Sequence, residues 1–194
     1  MIRMVFFTPY PEILPTIEQV FRERPDRDEL EYKVIQNPSN PPLQTAAADA
    51  DVVIARGFTA RTMEELGFVC AELKVTGLDL VSAVSRCLKM YPKEKNIAVI
   101  GAYNMIYETD TVNTNFTFVR LTPYPVSDKT EVDAVIQKAV SDGNTAVIGG
   151  YAAVEAAKKY NIPAVLIESG RRAVNNAISE ALSAKKCYRQ SQPE

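Results

Sequence analysis

The 194-residue chain contains no histidine. That removes the commonest general acid–base group and the commonest neutral metal ligand. Its three cysteines, Cys70, Cys87 and Cys187, are too few and too irregularly spaced for a disulfide framework or a zinc site. They read as free thiols in a reducing cytoplasm. No apolar run approaches the roughly 20 residues of a membrane helix. The opening Met1-Ile2-Arg3-Met4-Val5-Phe6-Phe7 meets Pro9 and Pro11 before it reaches the about 7–15 apolar residues of a secretory signal. Charge of one sign is not concentrated anywhere, and the net charge of -2 gives no general attraction to nucleic acid or anionic membrane. Neither GxGxxG nor GxxxxGK[ST] occurs, so neither common nucleotide cradle is signalled. Asp49 and Asp51 precede a strand rather than ending one, which is the wrong place for a phospho-acceptor.

What is present is a regular alternation of short β-like runs with amphipathic helices, in a chain of ordinary globular composition. Strands are expected at Met4–Phe7, Tyr32–Ile35, Val52–Ile54 and Val69–Leu73, then at Ile97–Ile100, Phe116–Leu121, Ala146–Ile148 and Ala164–Ile167. Helices fall between them, over Glu12–Arg24, before Gly67, over Leu78–Met90, around Tyr103–Val112, before Gly143 and over Ala152–Tyr160. A last helix spans 171–186. The segment Asn37-Pro38-Ser39-Asn40-Pro41-Pro42 reads as a rigid loop. Such a βαβα rhythm implies parallel sheets covered by helices on both faces.

The order runs through twice. At an offset of 93 positions Gly57 falls on Gly150, Ala60 on Ala153, Leu73 on Leu166, Gly77 on Gly170 and Val81 on Val174. Thr76 falls on Ser169, so a small hydroxyl precedes the second glycine in both copies. The expected fold is therefore α/β, with two similar lobes, each a small parallel four-stranded sheet flanked by helices, and a ligand cleft between them. The first lobe is expected over 1–76, with helix 171–186 available to pack back on it. The second is expected over 77–170, with 187–194 as a polar tail or linker.

In open α/β sheets ligands bind beyond the carboxyl ends of the strands. Those ends supply the candidate ligand-binding residues Arg56, Gly57, Thr59, Thr76, Gly77, Tyr103, Asn104, Gly149, Gly150, Ser169, Gly170 and Arg171. Arg56 follows a buried strand and precedes a glycine, an awkward place for a surface charge, and its guanidinium suits a carboxylate or phosphate. The glycines serve either close ligand approach or a sharp turn. Thr76 and Ser169 read either as helix N-caps or as ligand contacts. Arg171 is next to Arg172, and one of the two is expected in solvent. The cysteines, one within a strand, one on a core-facing helix position and one at a helix end, read as small packing residues rather than nucleophiles. No catalytic residue, metal or cofactor is assigned.

Five of these segments, taken in order, resemble a known family. Ala50-Asp51-Val52-Val53-Ile54-Ala55-Arg56-Gly57-Phe58-Thr59-Ala60, Val75-Thr76-Gly77-Leu78-Asp79 and Ile97-Ala98-Val99-Ile100-Gly101 with Asn104 and Ile106 are three of them. Val147-Ile148-Gly149-Gly150 and Leu166-Ile167-Glu168-Ser169-Gly170 complete the set. They are similar to the N-terminal receptor domain of propionate-catabolism-type, sigma-54-dependent transcriptional activators over about residues 50–182; the first 50 agree in pattern only. The resemblance implies a cytoplasmic sensor domain for transcription regulation and phosphorelay-type signalling. It implies a methylcitrate-like tricarboxylate as effector, and attached ATPase and helix-turn-helix DNA-binding modules in the full-length regulator. Phe58 departs from the pattern, standing where the family has a second glycine.

Three functions follow as alternatives. The first is a ligand-sensing regulatory domain that binds a small anionic metabolite in the interlobe cleft, with no membrane or nucleic-acid contact of its own and homodimerisation open. The second is an isomerase or lyase of the duplicated, racemase-like α/β type acting on a small organic acid, for which Tyr103, Glu168 and Asp79 are the acid–base candidates. The third is an interaction module whose cleft stays empty.

Overall fold

The most apolar stretches of the chain become central strands, because only a strand covered on both faces can be apolar at every position. In a computed structural model that describes residues 1–36 and 42–190, Val52–Ala55 and Ala146–Gly149 are buried throughout. The first sheet contains β1 (Ile2–Phe7), β2 (Leu30–Ile35), β3 (Val52–Ala55) and β4 (Cys70–Glu72). The second contains β5 (Asn96–Gly101), β6 (Arg120–Pro125), β7 (Ala146–Gly149) and β8 (Ala164–Leu166). Both are four-stranded and wholly parallel, in the orders β2-β1-β3-β4 and β6-β5-β7-β8. The helices are α1 (Leu14–Glu23), α2 (Leu43–Ala46), α3 (Gly57–Glu65), α4 (Gly77–Met90), α5 (Tyr103–Ile106), α6 (Thr109–Asn113), α7 (Val132–Ser141), α8 (Tyr151–Lys159) and α9 (Arg171–Gln190). Residues 37–41 of the proline-rich loop and 191–194 of the polar tail lie outside the described residues.

The chain divides into two compact units. One comprises Met1–Lys74 together with the segment that begins at Ser169; the other is Val75–Glu168. Each half of the sequence therefore gives its last helix to the other half's sheet. In the first unit α9, from the second half, packs on β3, β4 and α1. In the second, α4, from the first half, packs on β7, β8 and α6. The last helix continues to Gln190, past the end at 186 expected from its apolar spacing.

The duplication is visible in the elements, and it corrects the register read from identities. Ile2 and Asn96 open equivalent strands, as do Val52 and Ala146, and Cys70 and Ala164; Gly57 and Tyr151 open equivalent helices, as do Gly77 and Arg171. Each of these pairs is 94 residues apart, one more than the offset that aligns the glycines. The glycine identities are thus displaced by one position within the same turns. Gly57 is the first residue of α3, whereas Gly150 precedes α8.

At the corrected register two ion pairs correspond with their charges exchanged. Lys74 Nζ meets Glu180 Oε1 at 3.1 Å, and Arg86 Nη1 meets Glu168 Oε2 at 3.3 Å. Lys74 and Glu168 are the last residues before the two chain crossings. All four side chains are at least a third exposed, so each pair is worth about 0–1 kcal/mol.

One expected strand is displaced. The sixth forms over Arg120–Pro125, not Phe116–Leu121, and contains Pro123 and Pro125. Arg120 N–H donates to Lys95 O and Val126 N–H to Gly101 O, so even-numbered residues direct their amides at β5. The prolines occupy odd positions on an edge strand, where a missing N–H removes no ladder bond. Leu121 N–H, also at an odd position, donates to Asn113 Oδ1 at 2.8 Å.

Candidate functional site

In the order β2-β1-β3-β4 the chain leaves β1 in one direction along the sheet and returns to its other side at β3. Such a reversal opens a crevice beyond the carboxyl ends of those two strands. After β1 come Thr8, Pro9 and Tyr10; after β3 come Arg56 and Gly57. Gly57 has φ +58°, the left-handed region where a side chain is strained, and this turns the extended chain at Arg56 directly into α3.

Three side chains meet at this crevice. Arg56 is 5% exposed and donates from Nη1 to Ser169 Oγ at 3.1 Å. Its guanidinium carbon lies 5.2 Å from the centroid of the Tyr10 ring, within cation–π range. The Tyr10 hydroxyl donates to Ser169 O at 3.2 Å and accepts from Ser169 N–H at 2.8 Å. Tyr10 and Ser169 are both buried. A fixed positive charge is thus held out of solvent, on an aromatic face and beside a hydroxyl. Guanidinium and hydroxyl donors together are the groups that recognise a carboxylate or phosphate.

Among the residues expected at a site, Arg56, Gly57 and Ser169 come together here. Thr59 follows in α3, half-buried. Ser169 is not an N-cap: it stands two residues before α9 and its hydroxyl is engaged by Arg56. Thr76, its counterpart at the glycine offset, does cap α4. Its hydroxyl accepts from Asp79 N–H while Thr76 N–H donates to Asp79 Oδ2, a capping box. Arg171 instead forms an ion pair with Glu23 of α1 and lines a surface groove with Val20, Arg24 and Pro25. Arg171 and Arg172 are both exposed.

The second unit places Tyr103, Asn104, Gly149 and Gly150 at its own strand ends. A Cβ on Gly149 would stand 2.4 Å from Ile100 O and 2.8 Å from Ala153 Cβ, so that glycine serves strand and helix packing. One on Gly150 would meet Met105 Cε at 3.3 Å, and one on Gly77 would meet Glu108 Oε2 at 3.1 Å. A Cβ on Gly170 would meet nothing within 4 Å. Tyr103 is exposed and lies in tilted contact with Tyr107, their ring centroids 6.3 Å apart, while Asn104 Oδ1 is buried.

Tyr10 was not among the expected residues. Its signal in the sequence is its place three residues past the end of β1. The ring could not be matched to Ser169, 159 residues later, without the fold. For the racemase-like alternative, Asp79 is held in the capping box, Glu168 pairs with Arg86 and Tyr103 faces solvent. Burial, followed by Glu64 and Glu72, pushes the Cys70 thiol up to about 12; burial and Glu94 push Cys87 up to about 11. Both thiols stay protonated near neutrality. Cys187 is exposed, contrary to its expected packing role. Among the described residues no helix is long and apolar enough to cross a membrane, and no cluster of three or more Cys, Asp or Glu residues is placed to hold a metal.

Comparison with known proteins decides the family. A sequence model described as the propionate catabolism activator matches residues 42–191, most of the chain. The chain belongs to the propionate catabolism activator family. It is accordingly a regulatory domain of transcriptional control in propionate catabolism. No curated protein sequence matches it. An NtrC family transcriptional regulator from Clostridium acetobutylicum shares the fold, with TM-score 0.80 and 18% identity over 96% of this chain and 98% of that one. A LacI family transcriptional regulator from Arthrobacter sp. FB24, in complex with lactose, gives a TM-score of 0.46 at 9% identity over 97% and 92% of the two chains. An aspartate racemase homologue from Pyrococcus horikoshii OT3 gives 0.35 at 12% identity over 94% and 100%. Those two likenesses are too distant to bear on the function of a propionate catabolism activator domain.

Proposed function

We propose that this domain senses a small anionic metabolite, a methylcitrate-like tricarboxylate, with Arg56 as its principal anion-binding residue. The observation that carries the reading is the guanidinium buried at the switch point of the first sheet, with Ser169 and the Tyr10 ring against it. A carboxylate entering there gains charge-assisted hydrogen bonds in surroundings of low polarity, where they are strongest. The signal passes to attached sigma-54-type ATPase and helix-turn-helix modules in the cytoplasm. The role is regulatory rather than catalytic. For binding to act as a signal, the ligand must favour one conformation of the domain over another.

Calorimetric titration of the 194-residue chain with 2-methylcitrate and citrate tests the proposal. Binding is expected in the wild type. Removing one charged hydrogen-bonding partner in Arg56→Ala should weaken it by about 10–100-fold. Turnover of either acid would favour the isomerase or lyase reading. Absence of any heat or thermal shift with both acids would sink the tricarboxylate assignment.

A further inference from the structure

We infer that Tyr10 couples the Arg56 site to the long helix α9, by clamping the residue at which the chain re-enters the first unit. The inference rests on the anion-sensing reading above and adds a route by which binding is reported.

The two crossings are built differently. At the first, beyond Lys74, the chain enters the second unit through Val75 and Thr76, and its polar contacts are local ones of the capping box. At the second, the chain re-enters at Ser169, and that residue is held from a distance at three atoms. Its N–H donates to the Tyr10 hydroxyl, its carbonyl accepts from the same hydroxyl, and its Oγ accepts from Arg56. The first backbone hydrogen bond of α9, Val174 N–H to Gly170 O at 3.2 Å, begins at the next residue. From there α9 runs twenty residues, roughly 30 Å at 1.5 Å per residue, along β3, β4 and α1.

Arg56 and Tyr10 thus share one target. A carboxylate that engages the guanidinium competes with Ser169 Oγ for its donors. Tyr10 still holds the peptide that leads into α9. The phenol has two separable functions: its ring supports the guanidinium, and its hydroxyl holds Ser169. Tyr10 is a positioning residue, and Tyr10→Phe removes the second function while keeping the first.

Hydrogen exchange on the 194-residue chain, with and without 2-methylcitrate, tests this. Without ligand, Tyr10→Phe should speed exchange at the Ser169 amide and the first turn of α9 by about tenfold, the equivalent of one net hydrogen bond. The rest of the first unit should exchange at wild-type rates. With 2-methylcitrate, Tyr10→Leu should bind about tenfold or more weakly than Tyr10→Phe, because only the phenylalanine keeps the aromatic face against the guanidinium. Ligand should alter exchange over 169–175 in the wild type and not in Tyr10→Phe. Unchanged exchange at Ser169 in ligand-free Tyr10→Phe would overturn the inference. So would a uniform acceleration across the unit, or an equal ligand response in the two proteins. If the wild type binds no tricarboxylate, the sensing reading fails separately, and the ligand-free comparison still decides whether the clamp exists.

Discussion

Gly149 and Gly170 were both candidate ligand-contact glycines, and alanine at each position separates packing from function. At Gly149 the added methyl would meet Ile100 O at 2.4 Å and Ala153 Cβ at 2.8 Å. The first is a backbone atom of the paired strand β5, which cannot move without disturbing the β5–β7 ladder. The second is a buried side chain of α8. Overpacking a rigid core typically costs about 1–3 kcal/mol, and two contacts this short place Gly149→Ala at the upper end. For a chain of this size, 1 kcal/mol shifts the melting temperature by about 2–4 °C, so a fall of roughly 6–12 °C is expected. The clash lies wholly within the second unit. If the two units melt separately, only one transition should move. At Gly170 the added methyl meets nothing, and Gly170→Ala should fall within about 1 kcal/mol of wild type, stabilising if it changes anything. Differential scanning calorimetry of both variants reads the contrast directly. A Gly149→Ala protein that melts within 1 °C of wild type, or a Gly170→Ala protein that falls as far as Gly149→Ala, would refute the assignment of these glycines.

Two further predictions concern charge and thiols. Asp26 is held below the usual carboxylate value by hydrogen bonds from Arg24, whose Nε and Nη2 meet its two oxygens at 2.8 and 2.7 Å, while burial opposes the shift. Arg24 also donates to Asn175 Oδ1 and Ser179 Oγ, tying the end of α1 to α9. A lowered carboxyl contributes stability that is present above its unfolded value of 3.8 and is lost as pH falls through the folded value. Asp26→Asn should therefore be less stable than wild type at pH 7, and the gap should close in acid; urea titrations at both pH values check this, and a gap that widens in acid would contradict it. Ellman's reagent should modify one thiol, Cys187, in the native protein and all three after denaturation, because Cys87 is fully buried and burial raises both Cys70 and Cys87. Rapid reaction at two or more native thiols would contradict that placement.

Much of the architecture was legible because it rests on local periodicity. Short continuous apolar runs rich in β-branched residues, such as Val52–Ile54 and Ala146–Ile148, read as strands covered on both faces, and the parallel pairing follows from the helices between them. The Arg56-Gly57 turn announced itself as a charge between a buried strand and a glycine. The sixth strand did not, because Thr-Pro-Tyr-Pro reads as a breaker until its prolines are known to lie on an edge with their nitrogens turned outward. The duplication was readable, but its register was not. Identities at 93 positions align glycines that serve adjacent places in equivalent turns, and only the backbone shows that equivalent elements recur at 94.

The sequence by itself determined most of the strands and helices, that the pattern occurs twice, and that a fixed positive charge ends a central strand. These follow from side-chain polarity along a few residues at a time. Tertiary structure decided that the two halves exchange their last helices, that Arg56 rests on Tyr10 and holds Ser169, and that Arg171 pairs with Glu23 instead of joining them. Those contacts join residues from tens to more than a hundred positions apart, and no local propensity encodes a meeting that only the folded path of the chain brings about.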